Sequence, residues 1–223
     1  MTYTHTHILP GMDDGAKDLT ESLAMLKACR EQGVDTVVLT PHFYPTRESV
    51  EGFLDRRAQA YEKLCAAVTP DMPRLVLGAE VAWCAGIERM EQIRRLAMGQ
   101  SRYLLLEMPH SAWTDEHLDS LWRLVSGKQI MPVLAHVERS LPQQKRGQFQ
   151  AAASMQIPMQ LSAAMFHRFF PGRRALRLMK QGQWMIGSDC HNMTTRPPCM
   201  ADAALQLQRK APKQMAALNW NFD

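Results

Sequence analysis

Seven short apolar runs alternate with longer amphipathic stretches, and this alternation restricts the fold more than any other feature of the chain. The runs read YTHTHIL, DTVVLTPH, RLVLGAEV, RYLLLEMP, MPVLAHVE, IPMQLSAA and QWMIGSDC. Helical patterns lie between them. DLTESLAMLKACREQG opens with Asp18 and Glu21 at capping-box spacing, carries Leu19, Leu23 and Leu26 on one stripe, and stops at Gly33. ESVEGFLDRRAQAYEKLCAAV ends before Pro70, while DEHLDSLWRLVSGK and AALQLQRKA repeat the pattern. Strand and helix in alternation imply parallel strands joined by right-handed crossovers. Near-continuous apolar strands predict an α/β fold in the form of a closed or nearly closed barrel. An open doubly wound sheet would show a glycine-rich first turn, and PGMDDG is not one.

Six of the seven runs lead into a residue of one chemical type: His5 and His7, His42, Glu80, Glu107, His136, and Asp189 with His191. Strand periodicity turns His5 and His7 to the same face. Asp14 follows just past the first run. The C-terminal strand ends of a parallel barrel form its mouth, where functional groups collect. Each residue alone reads as a buried polar group with a local partner; recurrence along the chain favours a metal site. A His/carboxylate set without cysteine suits zinc, manganese or iron rather than a structural zinc knot.

The stretches HTHILPGMDDGAKD, LTPHFYP, GAE, AHVER and SDCHN, in this order and spacing, resemble the polymerase-and-histidinol-phosphatase (PHP) superfamily. More narrowly they resemble its bacterial manganese-dependent protein-tyrosine phosphatases of capsule and exopolysaccharide synthesis. The resemblance covers nearly the whole chain and implies one domain over residues 1–223. The implied fold is a distorted seven-stranded, TIM-like (βα) barrel, here carrying a trinuclear Mn²⁺ centre, with Fe or Zn as alternatives. By the same resemblance, His5, His7, Glu80 and Asp189 would hold one metal. Glu80 would bridge to a second, bound by Glu107 and His136, and Asp14, His42 and His191 would hold the third. Arg139 and Arg196 match two arginines that the family places near phosphate. The implied substrate is a phosphotyrosine protein, a bacterial tyrosine autokinase. Three positions depart from the family pattern: Tyr3 replaces an acid, and Val137 and Ser140 replace Pro and Tyr.

Other signals in the chain compete with this reading. Cys190 to Arg196 has the C-x5-R spacing of cysteine-dependent phosphatases, but the loop lacks glycine and Pro197 and Pro198 follow. Asp13 and His110 are candidate proton donors, read first as supports for ligands. His117 and His167 read as surface residues, and Trp83 and Trp113 as packing or a pocket rim. On the same barrel, histidinol phosphatase is the alternative. A metal-dependent amidohydrolase would need a bridging lysine where Glu80 stands.

Composition narrows the remaining classes. A net charge of +4 is too weak to argue for nucleic acid, and the basic stretch HRFFPGRRALRLMK reads as a solvated helix face. Five cysteines without a CxxC pair argue against a disulfide framework and for a reducing cytoplasm. No signal peptide or membrane span is expected. The oligomeric state is left open.

Overall fold

A computed structural model describes residues 1–166, 173–180, 182–216, 220 and 222. Residues 167–172 of HRFFPGRRALRLMK, His167 among them, lie outside the described residues; after them, α5 (Arg173–Leu178) is helical. Among the described residues, nine parallel strands form two sheets. One sheet has the order β1 (Thr2–Tyr3), β2 (Thr36–Leu39), β4 (Arg74–Leu77). The other runs β3 (His42–Phe43), β5 (Glu80–Ala82), β6 (Tyr103–Glu107), β7 (Met131–Leu134), β8 (Met159–Ser162), β9 (Trp184–Gly187).

The nine strands are the seven expected runs with two of them broken. DTVVLTPH splits into β2 and β3 at Thr40-Pro41, where proline has no N–H for the ladder. RLVLGAEV splits into β4 and β5 at Gly78-Ala79. A Cβ on Gly78 would sit 3.1 Å from the Met98 side chain and 3.3 Å from that of Thr40, so the close approach favours glycine. YTHTHIL is strand only at its start. Beyond Tyr3 the chain threads between neighbours: Thr40 N donates to Thr6 O, Asp189 N to His5 O, and His7 N to Cys190 O, at 2.9–3.0 Å. These bonds join the last run to the first and carry His5 and His7 to the level of the other strand ends.

Alternation along the strands sorts side chains into two packed layers. Val38, Val76, Leu105, Val133 and Met185 share a cluster with Met98, Ala135 and Phe222. Their strand neighbours, such as Leu39, Leu104, Leu106, Leu134 and Ile186, pack in the larger cluster with the helices.

The helices are α1 (Leu19–Glu31), α2 (Val50–Cys65), α3 (Asp115–Lys128), α4 (Arg146–Ser154), α5, α6 (Met200–Lys210) and α7 (Pro212–Ala216). Asp18 caps α1 through Glu21 N at 2.9 Å, but Glu21 reaches back to Lys17 N rather than to the cap residue. The buried face of α1 is Ser22, Met25, Leu26 and Cys29, rotated from the expected stripe, with Leu19 and Leu23 only half buried. Ser22 fits the inner face because its hydroxyl donates to Asp18 O. His117 is also not a surface residue: 8% exposed, it completes the cap of α3 by accepting from Thr114 N at 2.9 Å and packs on Trp83. Trp113 is core.

If the inner layer holds the strands in register, Leu105→Ala should cost roughly 2–5 kcal/mol, as for a core leucine whose cavity collapses poorly. Urea unfolding at fixed metal content measures it; a loss under about 1 kcal/mol would mean that this layer is loosely packed.

Candidate metal centre

All nine expected ligand residues converge where the strands end. Glu80, 0% exposed, lies at the middle of them. Its Oε2 is 3.0 Å from His5 Nε2, 3.2 Å from His7 Nε2 and 3.1 Å from His42 Nδ1, and its Oε1 is 2.9 Å from His136 Nε2. Asp189 Oδ1 lies 3.4 and 3.5 Å from His5 and His7 Nε2. On one side Glu107 Oε1 is 3.6 Å from both His136 and His110 Nε2. On the other, Asp14 Oδ1 is 3.4 Å from His191 Nε2 and 3.6 Å from His42 Nε2. Possible ligand atoms fall into groups whose members lie within 4.8 Å of one another: His5, His7, Glu80 and Asp189; His7, Asp14, His42 and His191; Glu107, His110 and His136; and His42, Glu80 and Glu107.

Donor chemistry fits divalent ions. Gln160 Oε1 accepts from His136 N at 3.1 Å, so it must also accept from His5 Nδ1 at 3.0 Å. Asp13 Oδ2 likewise accepts from His7 Nδ1 at 2.7 Å and from His42 N at 2.8 Å. With Nδ1 donating outward, each neutral imidazole would present its Nε2 lone pair inward, and the two Nε2 atoms face each other at 3.1 Å. Facing lone pairs repel unless a cation lies between them. Donors on one ion at bond lengths of about 2.1 Å sit roughly 3–4 Å apart, as these do. His42 Nδ1 and His191 Nε2 are buried and lack a hydrogen-bond partner, as lone pairs reserved for an ion would.

Electrostatics follow from this crowding. Burial works against charge on Glu80, but the charge of His5 and hydrogen bonds from His136, His5 and His7 hold its carboxyl well below the usual range. Burial also opposes a protonated His7, yet its bonds to Asp13, Asp189 and Glu80 raise its pKa well above that of free imidazole. Burial, then the charges of His7 and Arg196, push His191 down to about 4. Asp13 is held low against burial by its bond to His7, and the same carboxylate accepts from His42 N, so it fixes the positions of two of these histidines.

Two of the four non-glycine residues with positive φ among the described residues lie here. His136 (φ 29°) and Asp189 (φ 53°) occupy left-handed conformations, each costing about 1–3 kcal/mol unless the surroundings hold it. His136 is held by Gln160 through its N–H and by Arg139 N, which donates to its carbonyl at 3.0 Å. Asp189 N donates to His5 O, while its own carbonyl accepts from His191 Nδ1 at 3.1 Å. Gly187 makes room for this arrangement, since a Cβ there would come within 2.7 Å of His5 Cβ and would strike the Gln160 amide.

Arg139 and Arg196, each with a 37% exposed side chain, donate to the same oxygen, Asp189 Oδ2. They stand at the rim over the histidines. Cys190, by contrast, is fully buried in the core, and burial followed by the nearby Cys29 pushes its thiol up. Arg196 turns toward Asp189, and Asn192 Oδ1 takes up the backbone N–H groups of Thr194, Thr195 and Arg196. The loop therefore offers neither a thiolate nor an amide cradle. The cysteines among the described residues are all free.

A family model described as "Capsular polysaccharide synthesis, CpsB/CapC" matches residues 1–219. The chain belongs to the CpsB/CapC family. It is 29% identical over 202 residues to the tyrosine-protein phosphatase YwqE of Bacillus subtilis, covering 86% of this chain and 78% of that protein. It is likewise 29% identical over 217 residues to the tyrosine-protein phosphatase CpsB of Streptococcus pneumoniae, covering 89% and 86%. The fold matches a crystal structure from a study of YwqE and CpsB, described there as metal-dependent tyrosine phosphatases. The TM-score is 0.77 at 24% identity, over 96% of this chain and 89% of that one. A histidinol phosphate phosphatase from Lactococcus lactis shares the fold more loosely, with a TM-score of 0.57 at 10% identity over 94% and 93%.

Two residues at this CpsB/CapC centre escape a search for strand-end ligands. Gln160 is the polar residue of IPMQLSAA, the one run without a His or acid, and its only signal is an amide inside an apolar strand. His110 sits beside Glu107 and His136 and belongs to their donor group. The family departures have local explanations. Tyr3 Oη donates to Gln32 Oε1 and accepts from Met200 N at 2.8 Å, tying β1 to α1 and α6. Val137 is core, and Ser140 Oγ donates to Val137 O.

Gln160→Leu should keep the fold but free the His5 tautomer and the His136 backbone. Metal affinity or turnover should fall by roughly 10–100-fold, the usual effect of losing a group that orients ligands. Metal titration beside circular dichroism checks this, and unchanged affinity and rate would remove Gln160 from the site.

Proposed function

We propose that this chain hydrolyses phosphotyrosine on a protein, using divalent metal ions held by His5, His7, Asp14, His42, Glu80, Glu107, His136, Asp189 and His191. One observation carries the reading: nine ligand-type side chains meet beneath two arginines on one rim, in a chain whose relatives are named tyrosine-protein phosphatases. In this reading the domain spans residues 1–223 and its strands close as a seven-stranded barrel, with the site at its mouth. Manganese is the resident ion in a trinuclear arrangement, Fe or Zn being the alternatives. The substrate is a bacterial tyrosine autokinase of capsule or exopolysaccharide synthesis, met in the cytoplasm.

Bound there, divalent ions supply acidified water and Lewis-acid neutralisation of phosphoryl oxygens. The chain's own residues supply the rest. Glu80 and Asp189 concentrate negative charge among imidazoles whose outer nitrogens are fixed by Gln160, Asp13 and the Asp189 carbonyl. Arg139 and Arg196 turn from the shared Asp189 oxygen to the phosphoryl group, where their planar forks suit its equatorial oxygens. The leaving phenolate, from an acid of pKa about 10, departs more readily than an alkoxide and needs little protonation. No described helix is long and apolar enough to cross a membrane.

The deciding experiment is hydrolysis of p-nitrophenyl phosphate and of phosphotyrosine, phosphoserine and phosphothreonine peptides by chelator-stripped protein resupplied with Mn, Zn, Fe or Mg. Phosphotyrosine should be preferred, and Mn should restore activity better than Mg, because imidazole-rich sites disfavour Mg. Full activity in excess chelator, with metal analysis showing none bound, would refute the proposal. Arg139→Ala should retain metal and fold yet lose on the order of 10²–10³ in kcat, as for deletion of a preorganised donor. Lysine should rescue it poorly, lacking the two-pronged geometry. Near wild-type kcat and KM would leave the clamp to Arg196 alone.

A further inference from the structure

A second cavity, of about 620 Å³, opens alongside β4, between α2 and the segment from Arg94 to Ser101 that leads into β6. Arg57, Arg74, Arg94 and Arg95 line it with Tyr61 and Gln100, and no Asp or Glu is among the described residues of its wall. Arg57 projects from α2 and is 8% exposed. Its Nη1 donates to Gly78 O at 2.6 Å and its Nη2 to Arg95 O at 3.4 Å, while Nε is buried without a partner. These acceptors are neutral carbonyls. A buried guanidinium stays charged even though burial and Arg95 push its pKa down to about 10. Arg95 is engaged by Gln92 Oε1 at 2.6 Å and by Glu51 only at 3.9 Å. Buried charge is unfavourable without a counter-charge, and like charges converging on one hollow add to the cost.

We infer that this cavity is a binding site for a small multivalent phosphate, with the guanidiniums of Arg57, Arg94 and Arg95 as its receptors. Guanidinium forks match phosphate oxygens bidentately. The volume is that of a ligand pocket and exceeds what a single orthophosphate fills. Tyr61, Leu75, Leu77 and Phe222 give it an apolar wall, so a phosphate carrying an organic group fits as well as pyrophosphate. The site is separate from the metal centre: none of the nine residues gathered there, and neither Arg139 nor Arg196, lies in the wall of this cavity.

Calorimetric titration of the Mn-loaded full chain, at fixed free Mn²⁺, with pyrophosphate and separately with ADP tests this. Arg139→Ala suppresses anion binding at the metal rim, and R94A/R95A removes exposed receptors from the second cavity. In the Arg139→Ala background at least one of the two probes should bind at one site per chain. Adding R94A/R95A should weaken that binding at least 10-fold, while R94A/R95A alone leaves p-nitrophenyl phosphate turnover unchanged. Tighter binding of ADP than of pyrophosphate would assign the apolar wall to an organic group, and the reverse would assign the site to inorganic phosphate. Because Arg57→Met removes a buried donor and can unfold the chain, its thermal unfolding is followed with and without the probe. If it folds, it should lose the probe's stabilisation. Absence of binding of both probes in the Arg139→Ala background, or binding that R94A/R95A does not change, would overturn the inference.

Discussion

A carboxylate with no access to water organises this molecule. Glu80 is fully buried at the centre of the strand ends, and its two oxygens face four imidazoles on three different segments. An isolated carboxylate in such a place would take up a proton rather than stay charged. Here the surrounding imidazoles hold it ionised. The arrangement therefore stands only if the extended chain after β1, β3, β5 and the turn after β7 all arrive at one level. The two strand breaks serve this end, since Pro41 and Gly78 each interrupt a run just before a ligand, His42 or Glu80, is delivered.

A layer of fixed hydrogen bonds surrounds that centre. Gln160 ties His5 on the first run to the backbone of His136 after β7, and Asp13 ties His7 to the backbone of His42. Each amide or carboxylate thus sets both an imidazole tautomer and the position of a second ligand. The left-handed conformations of His136 and Asp189 are affordable only in this framework. Both are followed by an arginine of the rim, Arg139 three residues on and Arg196 seven on. The turns that expose the ligands also direct the guanidiniums toward Asp189.

The metal centre and the second cavity have opposite character. At the C-terminal strand ends, carboxylates and imidazoles gather with two arginines above them; alongside β4, arginines gather around a hollow. Val38, Val76, Leu105, Val133 and Phe222 pack in one apolar cluster among the strands, and Val76 and Phe222 of that cluster also line the hollow.

The sequence by itself determined the parallel α/β architecture, because apolar runs of strand length alternating with amphipathic helices bury their faces in few other ways. It also picked out the candidate ligand positions that the fold brings together, because a chemically uniform residue at successive strand ends is legible as a pattern without coordinates. Cys190 could be set aside in the same way, since its neighbours leave no glycine-rich cradle. Tertiary structure alone decided the rest. Whether seven runs become nine strands depends on how Pro41 and Gly78 meet neighbouring ladders. The face that α1 buries depends on Ser22 satisfying its hydroxyl within its own helix, so Leu19 and Leu23 are left at the edge. His117 turned inward because, beside its local cap bond to Thr114, it packs on Trp83 from a segment that no local pattern joins to α3. Gln160 gained its role only when β8 brought its amide between His5 and His136, contacts 155 and 24 residues away along the chain. Periodicity records which side of an element is buried, whereas the partners that a buried polar group must find are chosen by the assembled fold.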